Sequence, residues 1–126
     1  MDLEVAIKGM LDAQDKLRTP QGTNDPDEIS YQMQRLAQYT GAVELHLANF
    51  ERNYEIELGK RLHTYLVTEG TNATNADKRV RIDLAKDKGE IAYLTRIVSS
   101  AWKQVSTSQS RWNHLQKDKN AGRVIT

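Results

Sequence analysis

The sequence predicts an all-α protein: a long antiparallel two-helix coiled-coil hairpin with a short amphipathic helix in front of it. Three observations predict it. Val80, Leu84, Asp87, Ile91, Leu94, Val98, Ala101, Val105, Ser108, Trp112 and Leu115 step alternately by four and three, and all but Asp87 and Ser108 are apolar. That spacing keeps one side of an α-helix turned toward a partner helix. Upstream, Ile29, Met33, Leu36, Thr40, Val43, Leu47, Phe50 and Tyr54 step in the same way. Between the two series lies a short polar turn, residues 68–75, which forces the two helices to run antiparallel.

Residues 2–18 read as the short helix. Leu3, Ile7, Met10 and Leu17 share one side, with Ala6 and Ala13 beside them. Asp2 is placed to cap it, and Gly9 weakens it by about 1 kcal/mol relative to Ala. A helix of this length needs something to pack on. Residues 19–26, Thr-Pro-Gln-Gly-Thr-Asn-Asp-Pro, read as a loop and as the main structural boundary, so that 1–25 stands apart from the hairpin of 26–119.

Asp25-Pro26-Asp27-Glu28 is a helix start: a capping Asp, Pro in the first turn, and acids at the positive end of the dipole. The first long helix then runs over 26–67, about 60 Å at ~1.5 Å per residue. After Tyr54 the seam continues through Leu58, Leu62 and Tyr65 with two successive steps of four. That is a stutter, which locally unwinds a supercoil. Gly70 supplies the left-handed residue that ends the helix. Thr74 or Asn75 caps the second long helix, over 76–119, with Asp77 completing a capping box. Lys117 and Lys119 suit its last turn, Asn120-Ala121-Gly122 stops it, and 120–126 is a frayed tail.

Composition narrows the function. The 126 residues contain no cysteine, which excludes disulfides, thiolate metal sites and cysteine nucleophiles. No apolar run approaches the ~18 residues of a membrane span, and Met1-Asp2-Leu3-Glu4 does not read as a signal peptide. The expected location is cytoplasmic, with no membrane partner. His46 and His63 are too far apart to share a metal, and neither stands in an H-E-x-x-H or Glu-x-x-His spacing. Ser99, Ser100, Ser106, Ser108 and Ser110 sit in no nucleophile elbow, and Gly59-Lys60 lacks the upstream glycine of a phosphate loop. The expectation is a protein that is not an enzyme, with no metal, no cofactor and no small-molecule substrate.

Two surfaces remain as candidates. Leu45, Ala48, Ile56 and Gly59 form a second stripe on the first helix, and Ile82, Ala85, Gly89, Tyr93 and Ile97 another on the second. The amino-terminal helix covers part of such a stripe or a second copy does, most simply in a dimer that forms a four-helix bundle. The other surface is basic. Residues 1–75 hold 7 Lys/Arg against 12 Asp/Glu, a net −5, and residues 76–126 hold 11 against 5, a net +6. Within the second helix Arg96, Lys103, Thr107, Arg111, His114 and Lys117 fall within about 120° of arc, flanked by Trp102 and Trp112. Such a face tracks a phosphate backbone and stacks on bases, or it is solvated and its acidic counterpart lies in the same molecule.

Tyr39-Thr40-Gly41-Ala42-Val43-Glu44-Leu45, the Glu69-Gly70 turn, Thr74-Asn75-Ala76-Asp77 and Ser110-Arg111-Trp112-Asn113-His114-Leu115 together carry a resemblance. The stretch 27–118 resembles small helical-hairpin proteins encoded by tailed bacteriophages and prophages, often among replication and recombination genes. No catalytic motif defines that family. The resemblance implies a phage origin and a non-enzymatic accessory role through protein–protein contact in DNA replication, recombination or counter-defence. Direct DNA or RNA binding through the basic face, and a scaffold or virion role, are the alternatives.

Overall fold

The computed structural model describes residues 1–120 in full. The expected tail over 120–126, with its helix stop, falls from Ala121 onward outside the described residues. The chain is all-helical among the described residues. In order come α1 (Leu3–Leu17), α2 (Gln21–Asn24), α3 (Pro26–His63), a π-helical segment (Thr64–Thr68), α4 (Ala73–Asp83) and α5 (Ala85–Ile125).

Local chemistry explains most of these limits. Asp25 opens α3 as its sequence suggests: its Oδ1 accepts the Asp27 amide at 3.1 Å and its carbonyl accepts Ile29 N–H at 2.9 Å. Past the stutter the helix winds wide, and the Glu69 amide reaches back five residues to the Thr64 carbonyl at 3.0 Å. Gly70 then takes φ +68°, the left-handed turn assigned to it.

Four local expectations are corrected. The 19–26 loop contains a helical turn, α2, because the Thr19 hydroxyl accepts the Gly22 amide at 3.0 Å. Asp2 occupies the cap position of α1, but its side chain makes no capping bond. The second long stretch begins at Ala73 and not at 76. Asn72 caps it, with its Oδ1 accepting the Asn75 amide at 2.9 Å, while Asp77 pairs with Arg81 at 3.0 Å. Leu84 interrupts the regular helix at φ −104° and ψ 11°, yet bonds from Leu84 to Val80 and from Lys88 to Leu84, both 3.0 Å, carry the winding through.

The described residues cluster into two compact units, 1–44 with 97–126, and 45–96. The division falls within the long helices and not at residues 19–26, so α1 belongs with the first unit. There α1 buries Ala6, Met10, Ala13, Gln14 and Leu17, while Leu3 and Ile7 stay half-buried. Small residues let α1 approach closely. A Cβ on Gly9 would lie 2.5 Å from the Tyr39 ring, so the glycine that weakens the helix is also what seats it. Polar ties join in: Arg35 holds Asp12 at 3.1 Å, and Gln14 Nε2 donates to the Ser100 hydroxyl at 3.4 Å.

The remaining core of this unit is the expected seam: Ile29, Met33, Leu36, Thr40 and Val43 from α3, with Val98, Ala101 and Ser108 from α5. Among these, the Thr40 hydroxyl is buried without a hydrogen-bond partner. An orphaned buried hydroxyl costs about 1–3 kcal/mol. Thr40→Val keeps the shape and removes the orphan, so it is expected to stabilise the fold by about 1 kcal/mol, read from urea midpoints.

In the second unit the seam residues Val80, Leu84 and Leu94 are buried, and Leu47, Phe50, Tyr54, Leu58, Leu62, Tyr65 and Ile91 are half-buried. Asp87, the polar intruder in the seam, is exposed. Around the turn, the Tyr65 hydroxyl donates to Asp83, Arg61 reaches Asp83 at 3.4 Å, and Arg79 pairs with Glu69 at 2.6 Å while lying 4.0 Å from the Tyr65 ring centroid. That bond to Asp83 is the main reason the Tyr65 phenol is raised above its ordinary value.

Candidate functional site

Continuing the seam as heptad positions a and d gives each helix two flanks, one at e and one at g. On α3 the e positions are Ser30, Ala37, Glu44 and Glu51, and the g positions are Gln32, Tyr39, His46 and Asn53. On α5 the e positions are Lys88, Thr95, Trp102 and Gln109, and the g positions are Glu90, Ile97, Gln104 and Arg111.

In the first unit the g flank carries α1 and α2, which rest on Tyr39, Ser100 and Arg111. The e flank is open. Ser30, Met33, Gln34, Ala37, Val105, Gln109 and Trp112 line a cleft of about 310 Å³ there, and Trp102 Nε1 donates to Glu44.

The basic face fares unevenly. Arg111 is half-buried, and its guanidinium donates to the Thr23 carbonyl at 2.7 Å and to Asn24 Oδ1 at 3.0 Å, so it ties α2 down and is not held out to solvent. Thr107 lines the same recess as Thr23 and Asn24. His114 lies 3.5 Å from Asp118. Lys103 and Lys117 are exposed, and Arg96 is exposed in the other unit. Trp112 is half-buried on the seam, and Trp102 is 39% exposed. Periodicity alone could not find the role of Arg111, because it cannot see where a preceding loop will land.

The charge split also changes meaning. The first unit holds nine Lys/Arg and nine Asp/Glu, and the second nine and eight, so the acidic and basic halves of the sequence meet within each unit. Of the ion pairs in the first unit, Asp12 is the most telling. Hydrogen bonds from Arg35, then Lys16, hold its carboxyl below the ordinary 3.8. A depressed carboxylate contributes stability above its unfolded pKa and loses it as pH falls through the folded one. Lowering the pH below about 3.8 is therefore expected to loosen α1 in the wild type. Asp12→Asn, with no carboxylate to protonate, should lose less helicity over the same titration.

The second-stripe residues are exposed: Leu45 by 66%, Ile56 by 45%, Ile82 by 76% and Tyr93 by 48%. Ala48 is exposed too, and Ile97 is half-buried. The amino-terminal helix packs within the first unit, and Leu45, Ala48, Ile56, Ile82 and Tyr93 belong to the second. Two clefts border the seam of the second unit. One, on the e flank, is lined by Ala48, Glu51, Arg52, Tyr54, Glu55, Lys88 and Ile91. The other, on the g flank, measures about 220 Å³ and is lined by Phe50, Asn53, Tyr54, Glu57, Asp87, Glu90 and Ile91. Among the described residues no three His, Asp or Glu side chains gather as a metal-ligand set, and no helix is long and apolar enough to cross a membrane. No family model, curated protein or solved structure matches the chain.

Proposed function

We propose that this chain is a non-enzymatic accessory protein that works by protein–protein contact, as an antiparallel helical hairpin that self-associates. The exposed stripes, Leu45 and Ile56 on α3 and Ile82 and Tyr93 on α4 and α5, carry the reading. Large aliphatic and aromatic side chains on the outside of a helix pair mark a surface that another protein covers. The antiparallel arrangement draws support from which flanks meet. Glu44 with Trp102 and Ala37 with Gln109 are e with e, and Asn53 with Glu90 is g with g, as antiparallel pairing requires. The resemblance to phage hairpin proteins supports a setting in phage DNA replication, recombination or counter-defence, in the cytoplasm of an infected bacterium.

Light scattering at micromolar concentration tests the assembly. The expected mass is a multiple of the 14.4 kDa chain, most simply a dimer, and a clean monomer contradicts it. Affinity capture from an infected or lysogenic host, compared with an Ile82→Asp bait, tests the accessory role: a partner lost with that change supports it.

Direct nucleic-acid binding is the competing reading, and the capture of Arg111 by Thr23 and Asn24 weighs against it. Wild-type protein is expected to give no salt-dependent gel shift with single-stranded or duplex DNA. A shift at low salt that Lys103→Glu with Lys117→Glu abolishes, while helicity survives, would instead establish the basic face as a phosphate-binding surface.

A further inference from the structure

In the first unit the g flank of the seam is filled by α1, which meets it with charge complementarity, Asp12 on Arg35. The second unit has no third helix of its own, and its g flank is the cleft floored by Phe50, Tyr54 and Ile91. The lining groups that carry charge are Glu57, Asp87 and Glu90, with no cation among them. Glu57 is partly engaged, 3.4 Å from Arg61, whereas Asp87 and Glu90 make no ion pair among the described residues. An occupant of this cleft must bring an apolar side chain for the floor and positive charge for the rim.

The same unit displays such a surface. On the outer side of α4 and α5, Lys78, Ile82, Lys86, Gly89, Tyr93 and Arg96 step by four, four, three, four and three, and all are exposed. Lys78, Lys86 and Arg96 make no ion pair among the described residues, while their neighbours Arg79 and Arg81 do. Ile82, 76% exposed, projects between Lys78 and Lys86. At Gly89 an added Cβ would meet nothing within 4 Å, so the backbone itself is open to close approach.

Resting on the self-association proposed above, we infer that the occupant is a second copy of this chain: the outer stripe of α4 and α5 in one copy docks into the acidic cleft of the other, with Ile82 on the apolar floor and Lys78 and Lys86 against Asp87 and Glu90. Cleft and stripe lie on neighbouring sides of one helix, so a twofold axis lets each copy give and receive at once. The exposed isoleucine favours a protein occupant over a polyanion, which gains nothing from an aliphatic knob. The cations at 78, 86 and 96 are also spaced about 12–15 Å apart along the helix, wider than successive phosphates.

The test is light scattering of full-length variants at micromolar concentration, with circular dichroism melts to confirm folding. Ile82 is exposed, so Ile82→Asp should melt like wild type yet raise the dimer dissociation constant on the order of tenfold or more. Asp87→Lys with Glu90→Lys, and separately Lys78→Glu with Lys86→Glu, should each do the same. All four changes in one chain should restore the dimer, because the signs are complementary again. A wild-type dimer indifferent to Ile82→Asp and to both reversals overturns this docking while leaving self-association standing. So does failure of the fourfold variant to recover. A monomeric wild type overturns both, and a monomer that shifts DNA through Lys78 and Lys86 assigns the stripe to nucleic acid instead.

Discussion

Leu94→Asp is expected to abolish the cooperative thermal transition at neutral pH. Leu94 is 3% exposed on the seam of the second unit, in the same series as Leu84 at 2% and Val80 at 1%. An isolated carboxylate there either ionises in apolar surroundings or draws its pKa upward to stay neutral, and each route costs several kcal/mol. Loss of the leucine contacts adds about 2–5 kcal/mol, the usual range for truncating a buried leucine. Together these rival the whole stability of about 5–15 kcal/mol typical of a small domain. Leu94→Ala separates the two contributions and should leave a folded, weakened protein. The contrast is Ile82→Asp, the same charge introduced on an exposed side of the same helical stretch, which should fold normally. A Leu94→Asp protein with an unchanged melt would mean that the seam faces elsewhere.

Gly22→Ala is expected to release or distort the amino-terminal helix. Gly22 is buried in α2, and a Cβ there would sit 1.9 Å from the Lys16 carbonyl oxygen and 2.8 Å from Leu17 Cα. Both are backbone, so neither can rotate away. Forced overpacking of a rigid neighbour costs about 1–3 kcal/mol and sometimes more. The damage should be local: earlier proteolysis after Lys16 and Arg18, with helicity of the second unit retained. Gly41→Ala is the control. A Cβ at Gly41 meets nothing within 4 Å, so that change should stabilise α3 by about 0.5–1 kcal/mol through helix propensity alone. Equal behaviour of the two variants would contradict the packing described for α2.

How much the sequence disclosed can be judged residue by residue. The seam was legible because burial on one helix side imposes its period directly. Val80, Leu84, Leu94 and Val98 are buried, and Ile91, Val105, Trp112 and Leu115 are half-buried, as the four-three stepping requires. The π-helical segment at Thr64–Thr68 was not legible, because the stepping through Leu58, Leu62 and Tyr65 runs on as ordinary helix. The placement of α1 was not legible. It depends on Gly9 meeting Tyr39 and on Gly22 fitting under Lys16, which are matters of shape with no period. Nor was α2, which side-chain hydrogen bonds of Thr19, Thr23 and Asn24 tie together. The basic face shows the same limit. An angular count put Arg111 beside Lys103, and the structure spends Arg111 on Thr23 and Asn24. The second stripe was legible as a pattern, but the acidic cleft of Glu57, Asp87 and Glu90, into which we propose that it docks, came into view only once residues of α3 and α5 were seen to line one recess.

We propose that α3 and α5 pair antiparallel along one seam within a single chain. The absence of native cysteine makes it directly measurable with spin labels at Ser30→Cys and Gln109→Cys, two positions that line one cleft, in protein diluted with unlabelled chains. Pulsed dipolar spectroscopy should give one short separation, under about 20 Å. A parallel pairing would place the two labels some 30 residues apart along the bundle, roughly 45 Å at 1.5 Å per residue, and a distribution centred there would contradict the hairpin.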